Sequence, residues 1–373
     1  MTENSGPLPA LSERQRKLLL QLRGALHAVP RLSGQEADTV RVLQDFLAVN
    51  TTLELHPEGN RLWCMHREPD AAQTAAFRAD LDAIPGPDGA AFHGCGHDGH
   101  SAALAGLALL LEGRQTGRNV LLLFQNAEET GAGALPFRDH LLALERPDCI
   151  YGLHNLPGLP EGVLVTRPGT FACASRGLTV QVQGLQAHAA YPEQGRNPAA
   201  LLSRAVLELP DLRAQALSAV PGSLLMATVV ELRAGSRNFG VSAGAGSLSL
   251  TLRSDCLELL DRFEQGIRTY FQQACAAAGM QVSFTVQDAF PDTVSDAALL
   301  AAAERRWAAC GLPVLRLPEP MRWSEDFGWY GKRIPALFFG VGAGEAWPGL
   351  HTGDYCFNDR ILFRCTEAFA ALL

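Results

Sequence analysis

No stretch of this 373-residue sequence approaches the roughly 18 consecutive apolar residues of a membrane span. The richest run, 102–111, is short and holds small side chains. Basic residues are not in excess either: 31 Lys and Arg face 39 Asp and Glu, a formal net charge of -8. Nucleic acid and anionic membrane surfaces favour clustered Lys and Arg, so neither is expected as the main partner. A small molecule or a protein fits better. A disulfide framework is also missing, since the cysteines are nine, an odd number, at irregular spacings and with no secretory signal before them. This predicts a reducing cytoplasm. Repeats and low-complexity tracts are absent as well. What the chain does have is 47% hydrophobic against 19% charged residues, the composition of a globular protein with a sizeable core. At roughly 150 residues per domain, the length predicts two or three domains.

Apolar residues at helical spacing predict helices over 11–27, closed by Pro30, and over 36–47. Short apolar runs predict strands over 61–67 and 74–81. An Ala/Leu-rich helix over 101–111 follows, then a doubly buried strand over 119–124. This alternation predicts an α/β domain with a mixed, largely parallel sheet covered by helices. From about Ser175 the order becomes β-α-β-β-α-β (178–182, 198–209, 224–232, 247–253, 257–278, 282–286), that of a ferredoxin-like unit inserted into the first domain. The α/β pattern resumes with a helix over 297–310, a strand over 336–341 and a helix over 359–373. The expected domains are 1–174 and 290–373, together the catalytic domain, and 175–289, the insertion.

The densest chemistry is Cys95-Gly96-His97-Asp98-Gly99-His100, just before the Ala-rich helix. Thiolate, imidazole and carboxylate within six residues form a metal-ligand composition, and the two glycines let the backbone fold tightly. The strand over 119–124 runs into Gln125-Asn126-Ala127-Glu128-Glu129, two adjacent carboxylates at a strand end: one can bind metal while the other serves as a base. Alone, the pair reads equally as a solvated helix start. Gly152-Leu153-His154 and Gly349-Leu350-His351 each end in a histidine. Any one of these is unremarkable; four of them at strand-to-loop junctions point to a metal site.

These motifs resemble the M20 peptidase group, in the branch of bacterial N-acyl-amino-acid amidohydrolases, hippurate hydrolases and plant auxin-conjugate hydrolases. The resemblance rests on His27-x-x-Pro30 with Glu36, Phe77-Arg78-Ala79-Asp80-Leu81-Asp82-Ala83-Ile84-Pro85, His93 through His100, Ala127-Glu128-Glu129, Gly152-Leu153-His154, Gly184 through His188 to Pro192, Ser324-Glu325-Asp326-Phe327 and Leu350-His351. They occur in the family's order over nearly the whole chain. The resemblance implies metal binding by Cys95, His97, Glu129, His154 and His351, with Glu128 as general base. Five ligands exceed what one catalytic zinc usually takes, so two divalent ions, Mn, Zn, Co or Ni, are implied. It further implies that the inserted unit is a lid that forms a homodimer. His188 would stabilise the oxyanion in the partner subunit, and Asn238 and Arg253 would hold the substrate carboxylate. Asp82 and Asp326 would orient ligands.

The implied activity is hydrolysis of the amide of N-acyl-L-amino acids, or related small conjugates, by metal-activated water. A metallo-dipeptidase, a cysteine hydrolase using Cys95 and His97, and a non-catalytic metal-containing binding protein are the alternatives. The sequence departs from the family pattern in three places. Only residues 86–92 separate the Arg-Ala-Asp strand from the Cys-Gly-His-Asp cluster where the family has fifteen or more, Asn126 replaces a common Pro, and Arg31 replaces a common Glu. No proposed ligand is lost, but a loop beside the pocket is short.

Overall fold

In the computed structural model, residues 10–373 are described, and the chain divides into two compact units. One comprises the described residues up to Phe171 with Thr293–Pro320 and Glu325–Leu373; the other is Ala172–Asp292 with the short segment Met321–Ser324.

The first unit is built on an eight-stranded sheet ordered Glu54–Glu58, Arg61–His66, Asn119–Gln125, Thr74–Asp80, Cys149–Pro157, Ala336–Gly344, Leu164–Thr166, Val314–Arg316. From Asn119–Gln125 through Ala336–Gly344 the neighbouring strands are parallel; antiparallel pairs lie toward the edges. The central strands are buried because helices cover them, mostly with apolar side chains but with Arg78, Asp80, His154 and Asn155 among them. His97–Leu111 is buried along its whole length, and Glu13–His27 turns Leu19, Leu22 and Leu26 to the core. The latter helix opens on a capping box, in which the Ser12 hydroxyl accepts from the Gln15 backbone N–H and the Gln15 side chain accepts from the Ser12 N–H. In open sheets of this kind, ligand sites gather beyond the carboxyl ends of the parallel strands.

The structure corrects one expected helix start and adds one helix. The helix expected from Ser101 begins at His97, so the metal-type cluster forms its first turn instead of a preceding loop. The chain also forms a helix at Ala134–Leu144 that the apolar spacing does not predict.

The second unit is one antiparallel sheet ordered Leu225–Ala234, Ala245–Ser254, Ala174–Gln183, Gln281–Phe290. With helices Ala199–Leu217 and Leu257–Ala277 this is the ferredoxin-like β-α-β-β-α-β arrangement. Its core packs Leu178, Val180, Leu248, Leu250, Phe263 and Ile267 between sheet and helices. The first helix was expected to stop before Pro210 but runs through it. Proline removes one backbone donor and crowds the preceding turn, and burial of Leu202, Ala205, Leu209 and Ala216 outweighs that loss. Among the described residues, no helix is long and apolar enough to cross a membrane.

Candidate metal centre

In the first unit, the candidate residues converge at the carboxyl ends of the central strands. Thr74–Asp80 delivers Asp80 and Asp82, Asn119–Gln125 delivers Glu128 and Glu129, and Cys149–Pro157 carries His154. His351 follows Ala336–Gly344, and Cys95 and His97 flank the start of the helix. The backbone is shaped to bring them there. Ala127 (φ 53°) and His351 (φ 64°) both adopt the left-handed conformation that most side chains avoid. Buried Glu36 holds the first of these by accepting from the Ala127 N–H at 2.9 Å, and the His351 N–H donates to the Gly94 carbonyl at 2.8 Å.

Potential ligand atoms of Cys95, His97 and His154 lie within 4.8 Å of one another, as do those of Cys95, Glu129 and His351 and those of His97, Glu128 and Glu129. Cys95 Sγ is 3.3 Å from His154 Nε2. His351 Nε2 is 3.5 Å from Glu129 Oε1, which is 3.8 Å from His97 Nε2. His97 Nε2 and Glu129 Oε1 are buried and have no hydrogen-bond partner. Such orphaned atoms carry a desolvation penalty of ~1–3 kcal/mol each unless something fills the gap. A divalent cation does so: thiolate, imidazole and carboxylate are the donors that transition ions accept. His97 is oriented for this, because its Nδ1 faces the Asp82 carbonyl at 2.9 Å and Oδ1 at 3.3 Å. The other Asp82 oxygen accepts from the Ser33 hydroxyl and the Glu129 N–H.

A family model described as peptidase family M20/M25/M40 matches residues 76–373. The chain belongs to this family. Among curated relatives, an N-acetyldiaminopimelate deacetylase of Leuconostoc citreum is 26% identical over 97% of both chains. An N-acetyl-L-cysteine deacetylase of Bacillus subtilis is 27% identical over 89% of this chain and 82% of its own. A solved structure described as a dinuclear metal-binding peptidase of the M20 family from Bacillus subtilis shares the fold at TM-score 0.79 and 24% identity, covering 97% of this chain and 98% of its own.

Behind the metal-type groups, this M20 chain carries a fully buried ionic cluster. Arg78 pairs with Asp80 at 2.7 Å, Glu325 at 3.0 Å and Asp326 at 2.8 Å. Gln125 and the Ala134 N–H also donate to Asp326, and the Asp326 N–H reaches Glu128 Oε1 at 3.3 Å. One guanidinium cannot neutralise so many carboxylates. Burial, then the neighbouring Glu325, Glu129 and Asp326, push the Glu128 carboxyl well above its ordinary range. Burial raises Glu325 to about 7 and Asp326 to about 6, with Arg78 opposing in both. Glu128 is therefore a group with unusual proton affinity beside candidate ligands.

Of the remaining predicted residues, His188 and Asn238 share one neighbourhood of the inserted unit. His188 is exposed and its segment bridges to Val241, while Asn238 Oδ1 accepts from the Gly240 N–H at 3.0 Å. Arg253 is elsewhere. It sits at the far end of Ala245–Ser254, ~26 Å beyond Ala245 at ~3.3 Å per residue. There its guanidinium donates to the Arg322 carbonyl and the Ser324 hydroxyl. Asn238 and Arg253 of one inserted unit therefore cannot grip the same carboxylate.

Asn155, Tyr355, His100 and Arg78 carry no role that the sequence pattern alone assigns. Arg78 and His100 lie inside the family motifs, but neither charge nor spacing marks a buried network whose members come from separate strands. Asn155 was signalled only by its place after His154, and Tyr355 had no sequence signal.

Proposed function

We propose that the protein hydrolyses the amide bond of N-acyl-L-amino acids or related small conjugates, releasing a carboxylic acid and a free amino acid. The observation that carries this is the orphaned pair, His97 Nε2 and Glu129 Oε1, beside a carboxylate of raised proton affinity. Cys95, His97, Glu129, His154 and His351 would hold divalent cations, with Mn, Zn, Co or Ni all chemically suited and two ions expected for five ligands. When bound, such ions lower the pKa of water and polarise a carbonyl.

Glu128 takes a proton at its carboxylate from the attacking water and returns it to the leaving amine nitrogen. Asp82 fixes the His97 ring and the Glu129 backbone, and Asp326 tethers Glu128 through its own N–H. Arg253 has no carboxylate partner among the described residues, which suits a group awaiting a substrate carboxylate. His188 and Asn238 complete the site from a second copy in a homodimer. The edge strand Leu225–Ala234 leaves Val229, Val230 and Leu232 exposed in the single chain, the kind of edge that finds a partner strand.

The N-acetyl substrates named for the two deacetylases favour small acyl groups, and a dipeptidase is the nearest alternative. One observation favours a cysteine hydrolase: Cys95 Sγ is within hydrogen-bond reach of an imidazole, that of His154 at 3.3 Å. Against it, burial and then the carboxylates of Glu129, Glu128 and Asp80 hold the Cys95 thiol up, and burial holds His154 down. That disfavours a thiolate–imidazolium pair without a cation. The test is to incubate metal-loaded protein with a panel of N-acyl amino acids and dipeptides and identify released amino acids by mass spectrometry, with and without chelator. Release from acyl amino acids that chelation abolishes is expected; chelator-resistant release would mean a thiol enzyme, and no release would overturn the reading.

A further inference from the structure

Cys95 and His154 come from segments 59 residues apart, yet their side chains meet at 3.3 Å. The backbone that presents them is held by the buried side chain of Asn155. Its Nδ2 donates to the Cys95 carbonyl at 2.7 Å, and its Oδ1 accepts from the Tyr355 hydroxyl at 2.6 Å. That hydroxyl is also 3.3 Å from the Cys95 carbonyl. The Asn155 backbone N–H donates to His100 Nε2 at 3.1 Å.

Only one assignment of donors satisfies these contacts. The Cys95 carbonyl can only accept, which fixes the amide's orientation and makes the tyrosine hydroxyl the donor to Oδ1. His100 Nε2 must then be an acceptor, so the His100 proton sits on Nδ1 and goes to Asp80 Oδ1 at 2.8 Å. Asn155 is fully buried, and Tyr355 is 5% exposed. The intervening Gly96 is left-handed at φ 94°, and a Cβ there would stand 2.5 Å from the Tyr355 oxygen and 2.6 Å from Asn155 Nδ2. The clamp and the missing side chain fit each other.

We propose that Asn155 and Tyr355 are positioning residues that fix the Cys95 backbone, and with it the thiol, before any ion arrives. The inference rests on the metal reading above. Cys95 belongs both to the group with His97 and His154 and to the group with Glu129 and His351, so loosening it weakens ion binding across the centre and not at one corner. Partners of this kind, one shell behind the ligands, typically change metal affinity by about 10- to 100-fold.

The experiment uses full-length, metal-free protein titrated with Zn(II) against a chromogenic chelator, and with Co(II) to read the thiolate-to-cobalt absorption. Tyr355→Phe and Asn155→Ala are compared with wild type. Thr366→Val serves as the control: it deletes another buried hydroxyl, whose hydrogen bond to the Ala103 carbonyl spans 3.0 Å, about 9 Å along the helix from His97 and outside the clamp. Both clamp variants are expected to bind Zn(II) at least about tenfold more weakly, with a weakened cobalt–thiolate band, while Thr366→Val binds as wild type does. Wild-type affinity and absorption in whichever clamp variant folds would overturn the inference and leave the metal reading standing. Equal losses in Thr366→Val would reduce the effect to general destabilisation, which also overturns it. Wild-type protein that binds neither ion would remove both readings.

Discussion

Adjacent glutamates divide the work at the residue scale. Glu129 offers a buried oxygen without a hydrogen bond, 3.5 Å from His351 and 3.8 Å from His97, to the ligand cluster, whereas Glu128 faces Glu325 and Asp326. Glu128→Gln keeps the shape and the hydrogen bond from Asp326 but cannot accept the proton. It should retain metal and lose roughly 10²- to 10⁴-fold in turnover, while Glu129→Ala should lose metal; metal analysis and a rate assay on both variants check this, and exchanged phenotypes would reverse the assignment. A second residue reports on pH. His27 Nδ1 is 2.7 Å from the buried Asp98, flanked by Arg23, His93 and Asp359. The hydrogen bond to Asp98 raises the His27 pKa above the ordinary 6.5, against opposition from partial burial. A raised folded value means that the stabilisation is complete below 6.5 and fades as pH climbs through the folded pKa. The melting-temperature gap between wild type and His27→Gln should therefore shrink from about pH 6 to about pH 9. A gap that stays constant would mean that this pair does not titrate.

At the scale of elements, the helix His97–Leu111 carries the argument, because its first turn holds a ligand and its whole length is core. Gly99 lies inside that turn, where a Cβ would fall 2.2 Å from the Phe357 ring. Gly99→Ala should thus destabilise by about 1–3 kcal/mol through overpacking despite alanine's better helix propensity, readable as a lower denaturant midpoint. An unchanged midpoint would show that Phe357 gives way freely. The same helix marks what a sequence can disclose. Strand cores such as Asn119–Gln125 were legible because continuous apolar runs mark double burial, and the ligand candidates because thiol, imidazole and carboxylate cluster at strand ends. The helix start was not, since Gly96 caps it through a left-handed backbone with no side-chain signature. The run through Pro210 was hidden likewise, a local penalty overruled by packing that no local pattern records. The Asn155–Tyr355 contact joins residues 200 apart, and neither has a charge or spacing that would point to the other.

The whole molecule raises the question of how many copies make one site. Within the inserted unit, His188 and Asn238 sit near the end of Ala245–Ser254 opposite to the one that carries Arg253, so one copy cannot turn all three toward one substrate. In the homodimer proposed above, two copies related by a two-fold axis would each lend His188 and Asn238 to the other's metal centre, with the exposed edge strand Leu225–Ala234 as the seam. Complementation decides it. His188→Ala and Glu128→Gln proteins, each inactive alone, are mixed under conditions that allow subunits to exchange. In a mixed pair, one centre has both its own Glu128 and an intact His188 from the partner, while the other has neither. Random pairing makes half of all pairs mixed, and half the centres in those are competent, so activity up to roughly a quarter of wild type should return. If exchange is demonstrated by mass spectrometry and no activity returns, His188 serves its own subunit, and its action from a second copy is excluded.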